Sequence, residues 1–207
     1  MPLLNRNGRF LHVGCGHARL EQTPFASFTW EEVRLDIDPA VAPDLIGSIT
    51  AMPSVAADSM DAVYSSHNIE HLYAHEVPVA LAEFRRVLTP DGFLLLTCPD
   101  LRSVAALVAA DRLTDPIYRS DLGMITPLDI LYGHRSALAE GNHFMAHRCG
   151  FTAKVLVGTL QQAGFAQVAC RERPNHQDLW AVATNQPWPE GRLREAAAQL
   201  FPSGGGR

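Results

Sequence analysis

Short apolar runs alternate with amphipathic stretches along most of the chain. Phe10–Val13, Val33–Ile37, Asp44–Ile49, Met60–Ser65 and Gly92–Cys98 are brief, rich in apolar residues and bounded by turn formers. That is the pattern of strands buried on both faces of a parallel sheet. Between the fourth and fifth runs, Val77, Leu81, Phe84, Val87 and Leu88 give a helix over 77–88 one apolar face. Thr89-Pro90-Asp91-Gly92 ends it with turn chemistry. An alanine-rich helix is expected over 101–112. Thr152 caps another that runs to about Ala163 and stops at Gly164. Phe165–Arg171 and Leu179–Thr184 read as an antiparallel hairpin turning at Pro174-Asn175. The alternation predicts an α/β fold, mostly parallel, with one reversed strand near an edge.

Two stretches lack a clear period. Residues 114–146 are punctuated by Pro116, Gly123, Pro127, Gly133 and Gly141. They are read as an insertion of loops and short helices, the usual carrier of a substrate site or lid. Residues 188–207 are expected to hold a short helix over 191–200 and a disordered tail. The remainder, 1–187, is expected to be one domain, the default for a chain of 207 residues.

Composition removes function classes more than it adds them. A net charge of -5 argues against a broad nucleic-acid face. No apolar stretch is long enough for a bilayer, and residues 1–7 lack the apolar core of a signal peptide. Cys15, Cys98, Cys149 and Cys170 are far apart and form no CxxC pair, which suits reduced cytosolic thiols and no zinc knuckle. The expectation is a cytoplasmic protein with no membrane or nucleic-acid partner.

The candidate chemistry begins where the first strand ends. Phe10-Leu11-His12-Val13 runs into Gly14-Cys15-Gly16-His17, a strand handing over to a loop whose backbone must approach a ligand closely. A second strand ends about twenty residues later in Asp36-Ile37-Asp38, giving a nucleoside-binding βαβ signature. In parallel sheets ligands sit beyond the carboxyl ends of the strands. Gly14–Gly16, Asp36, Ser48, Ser66-His67 and Pro99-Asp100 should therefore meet in one crevice.

With five segments in this order, the chain resembles the class I S-adenosylmethionine-dependent methyltransferases, in particular a small group of the type 11 kind. The segments are Val13–Gly16, Leu35–Asp38, Met60–Leu72 with its "EHL", Phe84–Gly92, and Cys149–Thr152 with Ala163–Phe165. The resemblance implies a Rossmann-like, mostly parallel seven-stranded sheet with an antiparallel C-terminal hairpin strand. It implies S-adenosylmethionine as donor, S-adenosylhomocysteine as product and a small-molecule methyl acceptor. Cofactor contacts would come from Gly14, Cys15, Gly16 and His17 at the loop, Asp36 on the ribose, Ile37, Ser48 and Ile49 at the adenine, and Ser66 and His67 on the methionine side. The chain departs from the pattern at His12, where an acid is usual, at Ala18 for the third glycine, and at Ser48 for an Asp. The short segment before the second strand predicts a stunted first helix. These departures keep a silent S-adenosylmethionine-binding sensor or partner protein as the alternative.

Other motifs admit sharper and blander readings. His67-Asn68-Ile69-Glu70-His71 fits the HxxEH zinc-hydrolase pattern, which needs a helix to set two imidazoles one turn apart; the methyltransferase frame explains the same residues as a helix start, and no metal centre is expected. His71 and His75 then belong to a solvated helical face. His143 and His147, if helical, face one way and could reach the crevice, so with His67 they are the candidate general bases. Arg135 in Tyr132-Gly133-His134-Arg135 suits an anionic acceptor or a plain surface turn. Asp100 serves as a helix N-cap or a catalytic acid, and Cys15 as a reactive thiol or simply a small residue. Arg85-Arg86 reads as a solvated helix face. Methyl transfer depends mainly on positioning, so a dedicated catalytic residue is not required.

Overall fold

The computed structural model describes residues 7–120 and 123–202; the expected disordered tail lies outside them. Five parallel strands come first: β1 (Gly8–Val13), β2 (Trp30–Asp36), β3 (Leu45–Ile46), β4 (Met60–Ser66) and β5 (Leu88–Pro99). α1 (Val77–Val87) crosses from β4 to β5, and α2 (Leu101–Ala109) leaves the end of β5. The variable segment forms a small hairpin, β6 (Tyr118–Ser120) and β7 (Gly123–Ile125), then α3 (Pro127–Tyr132) and α4 (Arg135–Ala139). α5 (Ala153–Gln162), β8 (Gln167–Arg173), β9 (Asp178–Thr184) and α6 (Arg192–Leu200) complete the chain. The sheet order is β3-β2-β1-β4-β5-β9-β8, with β9 antiparallel to both β5 and β8. This is the expected Rossmann-like, seven-stranded sheet with its reversed hairpin.

Strand alternation sorts the core into two layers. Leu11, Val13, Leu35, Val63, Leu94 and Leu96 face α1 and α5, where Leu81, Phe84, Leu156 and Leu160 are buried. Phe10, Tyr64, Phe93, Trp180 and Val182 face the other way. That second face has little helix to cover it. Between β1 and β2 there is only a 3-10 turn, Leu20–Gln22, as the shortness of the segment predicted. Aromatic stacking replaces the helix: Phe25 lies on Phe10 with centroids 4.3 Å apart and meets Trp30 at 5.2 Å. Trp188 and α6 cover the rest through Ala196, Ala197, Leu200 and Phe201.

Some sequence expectations are corrected. Thr89–Gly92 does not break the chain into helix, turn and strand. It forms an excursion within β5, whose partner residues jump from Met60↔Leu88 to Ala62↔Phe93. Asn185 holds it, its side-chain N–H groups donating to the carbonyls of Arg85, Leu88 and Thr89. The Arg85-Arg86 pair is not a solvated face. Arg85 donates to Asn185 Oδ1 and the Ala163 carbonyl, and Arg86 to Glu83 and the carbonyls of Met52 and Val55. Both clamp α1 to its neighbours. Among the described residues no helix is long and apolar enough to cross a membrane.

Candidate functional site

The strand ends open into a cleft of about 240 Å³. Gly14 and Gly16 both take positive φ, 59° and 52°, a region costly for any residue with a Cβ. A Cβ on Gly14 would also fall 2.4 Å from the Asn68 side chain, whereas one on Gly16 would meet nothing within 4 Å. Gly14 is therefore fixed by its neighbour, and the space over Gly16 is open to a ligand.

Two side chains hold this loop without a helix behind it. Asp36 Oδ2 accepts the Gly16 N–H at 2.8 Å, and Oδ1 accepts the Asp38 N–H at 2.9 Å. Arg34, 2% exposed, spreads its guanidinium over main-chain oxygens: Nη2 donates to Gly16, Nε to Ala18 and Nη1 to Ala42. Five fixed N–H donors suit that task. Arg34 thus joins the glycine loop to the 3-10 turn Pro39–Val41, which Asp38 caps. Sequence reading missed Arg34 because a charged residue amid strand apolars reads as an edge position.

Of the residues expected around the cofactor, Gly14, Gly16, Asp36, Ile37, Ser48, Ile49 and His67 line this cleft. Cys15, His17 and Ser66 do not. Cys15 is buried beneath the loop, and burial pushes its thiol up to about 11, which removes the reactive-thiol reading. His17 points to solvent. Ser66 shares the Tyr64 face of β4, because alternate residues of a strand point to opposite sides. His12 lies on that same far face, 2.6 Å from Glu32 Oε1, so it marks no gap in the cleft wall. Burial lowers the His12 pKa against the opposing pull of Glu32.

A second cleft of about 270 Å³ adjoins the first, and His67, His71 and Met145 line both. Its remaining wall includes Glu70, Tyr118, Ile130, His147 and Gln177. The HxxEH segment is not helical. His67 sits at φ 46°, only Ile69–His71 makes a 3-10 turn, and α1 starts six residues later. The zinc-hydrolase geometry of two imidazoles on successive turns of one helix is absent.

A different grouping takes its place. Glu70 is 1% exposed, and neither carboxylate oxygen has a hydrogen-bond partner of good geometry. It makes an ion-pair contact with His67 Nδ1 at 3.4 Å. Burial opposes its charge, but the imidazoles of His67, His71 and His147 outweigh that and hold the carboxyl below its usual range. For His67 burial likewise opposes the charge, and Glu70 overcomes it and raises the pKa.

The main chain presses His147 onto this acid. The N–H groups of Arg148 and Cys149 donate to the Glu70 carbonyl at 2.8 and 3.2 Å, and Arg148 Nη1 reaches the His71 carbonyl at 3.0 Å. The two 3-10 turns, Ile69–His71 and His143–Met145, are thereby stapled together. His143 and His147 do not share a face: His143 is exposed and lines neither cleft. His75 is also exposed, stacked on Tyr73. Arg135 is committed to Asp129 at 2.8 Å, the residue that completes the N-terminal capping box of α3, so it is not a free anion binder. Asp100 caps α2 by accepting the Arg102 N–H. Asn68, Leu72, Phe144 and Arg148 line the first cleft and went unread, since nothing in their spacing marks them.

Residues 11–96 match the family model described as "Methyltransferase domain". No curated protein matches the chain. Solved structures with the same fold include a SAM-dependent methyltransferase from Archaeoglobus fulgidus, 14% identical, with 87% of each chain covered and a TM-score of 0.58. Another is the 1,6-didemethyltoxoflavin-N1-methyltransferase of Burkholderia thailandensis, solved with its substrate and S-adenosylhomocysteine. It is 14% identical, with 89% of this chain and 73% of that one covered and a TM-score of 0.55. The CMeT domain of the citrinin polyketide synthase is also 14% identical at a TM-score of 0.58. There the match covers 89% of this chain but 48% of the other.

Proposed function

We propose that this chain is a class I S-adenosylmethionine-dependent methyltransferase, a reading its domain match and its sheet support, and that it moves the methyl group to a small-molecule acceptor held in the histidine-lined cleft. The observation that carries the reading is the contact between the two clefts through His67, His71 and Met145. One cavity can hold a donor, and the other opens onto the same wall.

The first cleft fits the donor on its own geometry. Open space lies over the Gly16 backbone, and each Asp36 oxygen keeps a lone pair beyond the N–H it already accepts. Asp36 would hold the ribose hydroxyls by charge-assisted bonds. Ile37 and Phe144, each about half exposed, would give the adenine ring its apolar surface. When bound, S-adenosylmethionine supplies a methyl group already activated on a sulfonium. The protein then has to exclude water, align the acceptor and take its proton. His67, on the shared wall and in ion-pair contact with Glu70, would take that proton.

Calorimetry with S-adenosylhomocysteine tests the donor cleft, and saturable binding is expected. None by about 1 mM, an affinity weaker than about -4 kcal/mol, would overturn the reading. A turnover assay for S-adenosylhomocysteine release across small hydroxyl and ring-nitrogen compounds then tests transfer. Tight binding with no release from any of them would favour the silent sensor.

A further inference from the structure

Three groups at the junction of the clefts do something that methyl-donor binding does not require. One ligand-type atom from each of Glu70, His71 and His147 lies within 4.8 Å of the other two. They nevertheless make no hydrogen bonds to one another, and neither oxygen of Glu70, itself 1% exposed, accepts a hydrogen bond, although Oε1 keeps its ion-pair contact with His67. The rings are 4.9 Å apart at 66°, so they do not stack.

The orientation of the two imidazoles is set from behind. His71 Nδ1 lies 3.1 Å from the Ala146 carbonyl, and His147 Nδ1 lies 2.6 Å from the Ile130 carbonyl. A carbonyl can only accept, so both Nδ1 atoms carry hydrogen, and in the neutral rings both lone pairs sit on Nε2. Carbonyl acceptors behind imidazoles are the arrangement that orients metal-binding histidines. If the cluster were only an ion-pair network, the Nε2 atoms would donate to Glu70, and they do not.

We infer that Glu70, His71 and His147 form a binding site for a divalent transition-metal ion, with zinc as the best match to two imidazoles and a carboxylate. Zinc bonds of 2.0–2.1 Å in a tetrahedron bring ligand atoms to about 3.3 Å apart. The required closure of up to about 1.5 Å is within side-chain rotation on two short turns. Three protein ligands leave a fourth position, which faces the second cleft. Resting on the methyltransferase reading, this gives the acceptor a chemical class: a molecule with an oxygen or nitrogen lone pair near the atom that receives the methyl group.

The ion itself is tested without turnover. The full chain, stripped with chelator, is titrated with zinc by calorimetry and with Co²⁺ as a visible-spectrum probe. One equivalent of zinc and the intense bands of low-coordinate Co²⁺ are expected. Glu70→Gln and His147→Ala should each weaken binding by about 100-fold or more, while the exposed His75→Ala should leave it unchanged. Azide added to the Co²⁺ form should shift the bands, reporting the open fourth position. No stoichiometric binding by the wild-type chain, or binding retained in both ligand variants, overturns the site. Unshifted bands overturn the acceptor class. S-adenosylhomocysteine calorimetry on the same samples separates these failures from failure of the methyltransferase reading.

Discussion

The glycine-loop side and the histidine side of the cleft treat their polar groups in opposite ways. Around Gly14–Gly16 every prominent charge is answered: Arg34 serves the carbonyls of Gly16, Ala18 and Ala42, and Asp36 takes two N–H groups. Around Glu70 the acid is buried with its oxygens unanswered, and the nearby imidazoles are turned to offer lone pairs. The first region spends its polar groups on its own shape, so a ligand meets a preformed surface. The second keeps groups in reserve, so its shape is completed by what binds there. A fold that gave up the helix between β1 and β2 had to rebuild its loop from side chains, and Arg34 is the result.

Variants can break this contrast. Arg34→Ala should have the largest effect, because it removes a buried side chain and the donor of three main-chain carbonyls at once. A loss of about 3–5 kcal/mol in denaturant stability is expected, together with loss of S-adenosylhomocysteine binding. A stable variant that binds normally would show that the loop holds itself. Asp36→Ala should follow, with affinity for S-adenosylhomocysteine reduced by about 2–3 kcal/mol in calorimetry. Unchanged affinity would remove it from the ribose.

Smaller effects sharpen the comparison on the other side. Phe144→Ala should weaken the same ligand by about 1–2 kcal/mol while leaving the melting temperature almost unchanged, since its side chain is half exposed. Asp129→Asn should cost about 1–2 kcal/mol in stability at neutral pH. Beside buried surroundings that oppose its charge, Arg135 and Thr126 hold the Asp129 carboxyl well below the usual range. Because the folded pKa is depressed, that contribution is complete above about pH 5 and fades as pH falls below about 4. The difference between wild type and variant should shrink over that window. Smallest of all, Cys15 and Cys149, both pushed up to about 11 by burial, should alkylate slowly with iodoacetamide in the native protein and fast in denaturant.

The sheet was legible because its strands are buried on both faces and so write continuous apolar runs. Most residues lining the first cleft followed from strand ends, apart from those that depend on which face a residue takes. Ser66 is the instructive miss: one residue before His67 along β4, it belongs to the opposite layer. The histidine site was not legible for another reason. Glu70 and His71 lie 76–77 residues before His147, and bonds linking residues 146, 148 and 149 to Glu70 and His71 bring them together. The HxxEH segment reads as a helix start and not as a metal motif, and it pairs His67 with His71 and not with His147. The hairpin β6–β7 was hidden by the absence of any apolar period between residues 114 and 126.

The position of β9 carries a consequence for synthesis. Among the described residues it is the last strand of the sheet in chain order, yet it lies inside the sheet, with β5 on one side and β8 on the other. Until Asp178–Thr184 has left the ribosome, the long apolar β5 has an open edge able to pair with another chain. β5 is complete at Pro99 and its edge partner only at Thr184, so that edge stays open while the intervening residues are made. Its yield in a cell should depend on chaperone supply more than its final stability would suggest.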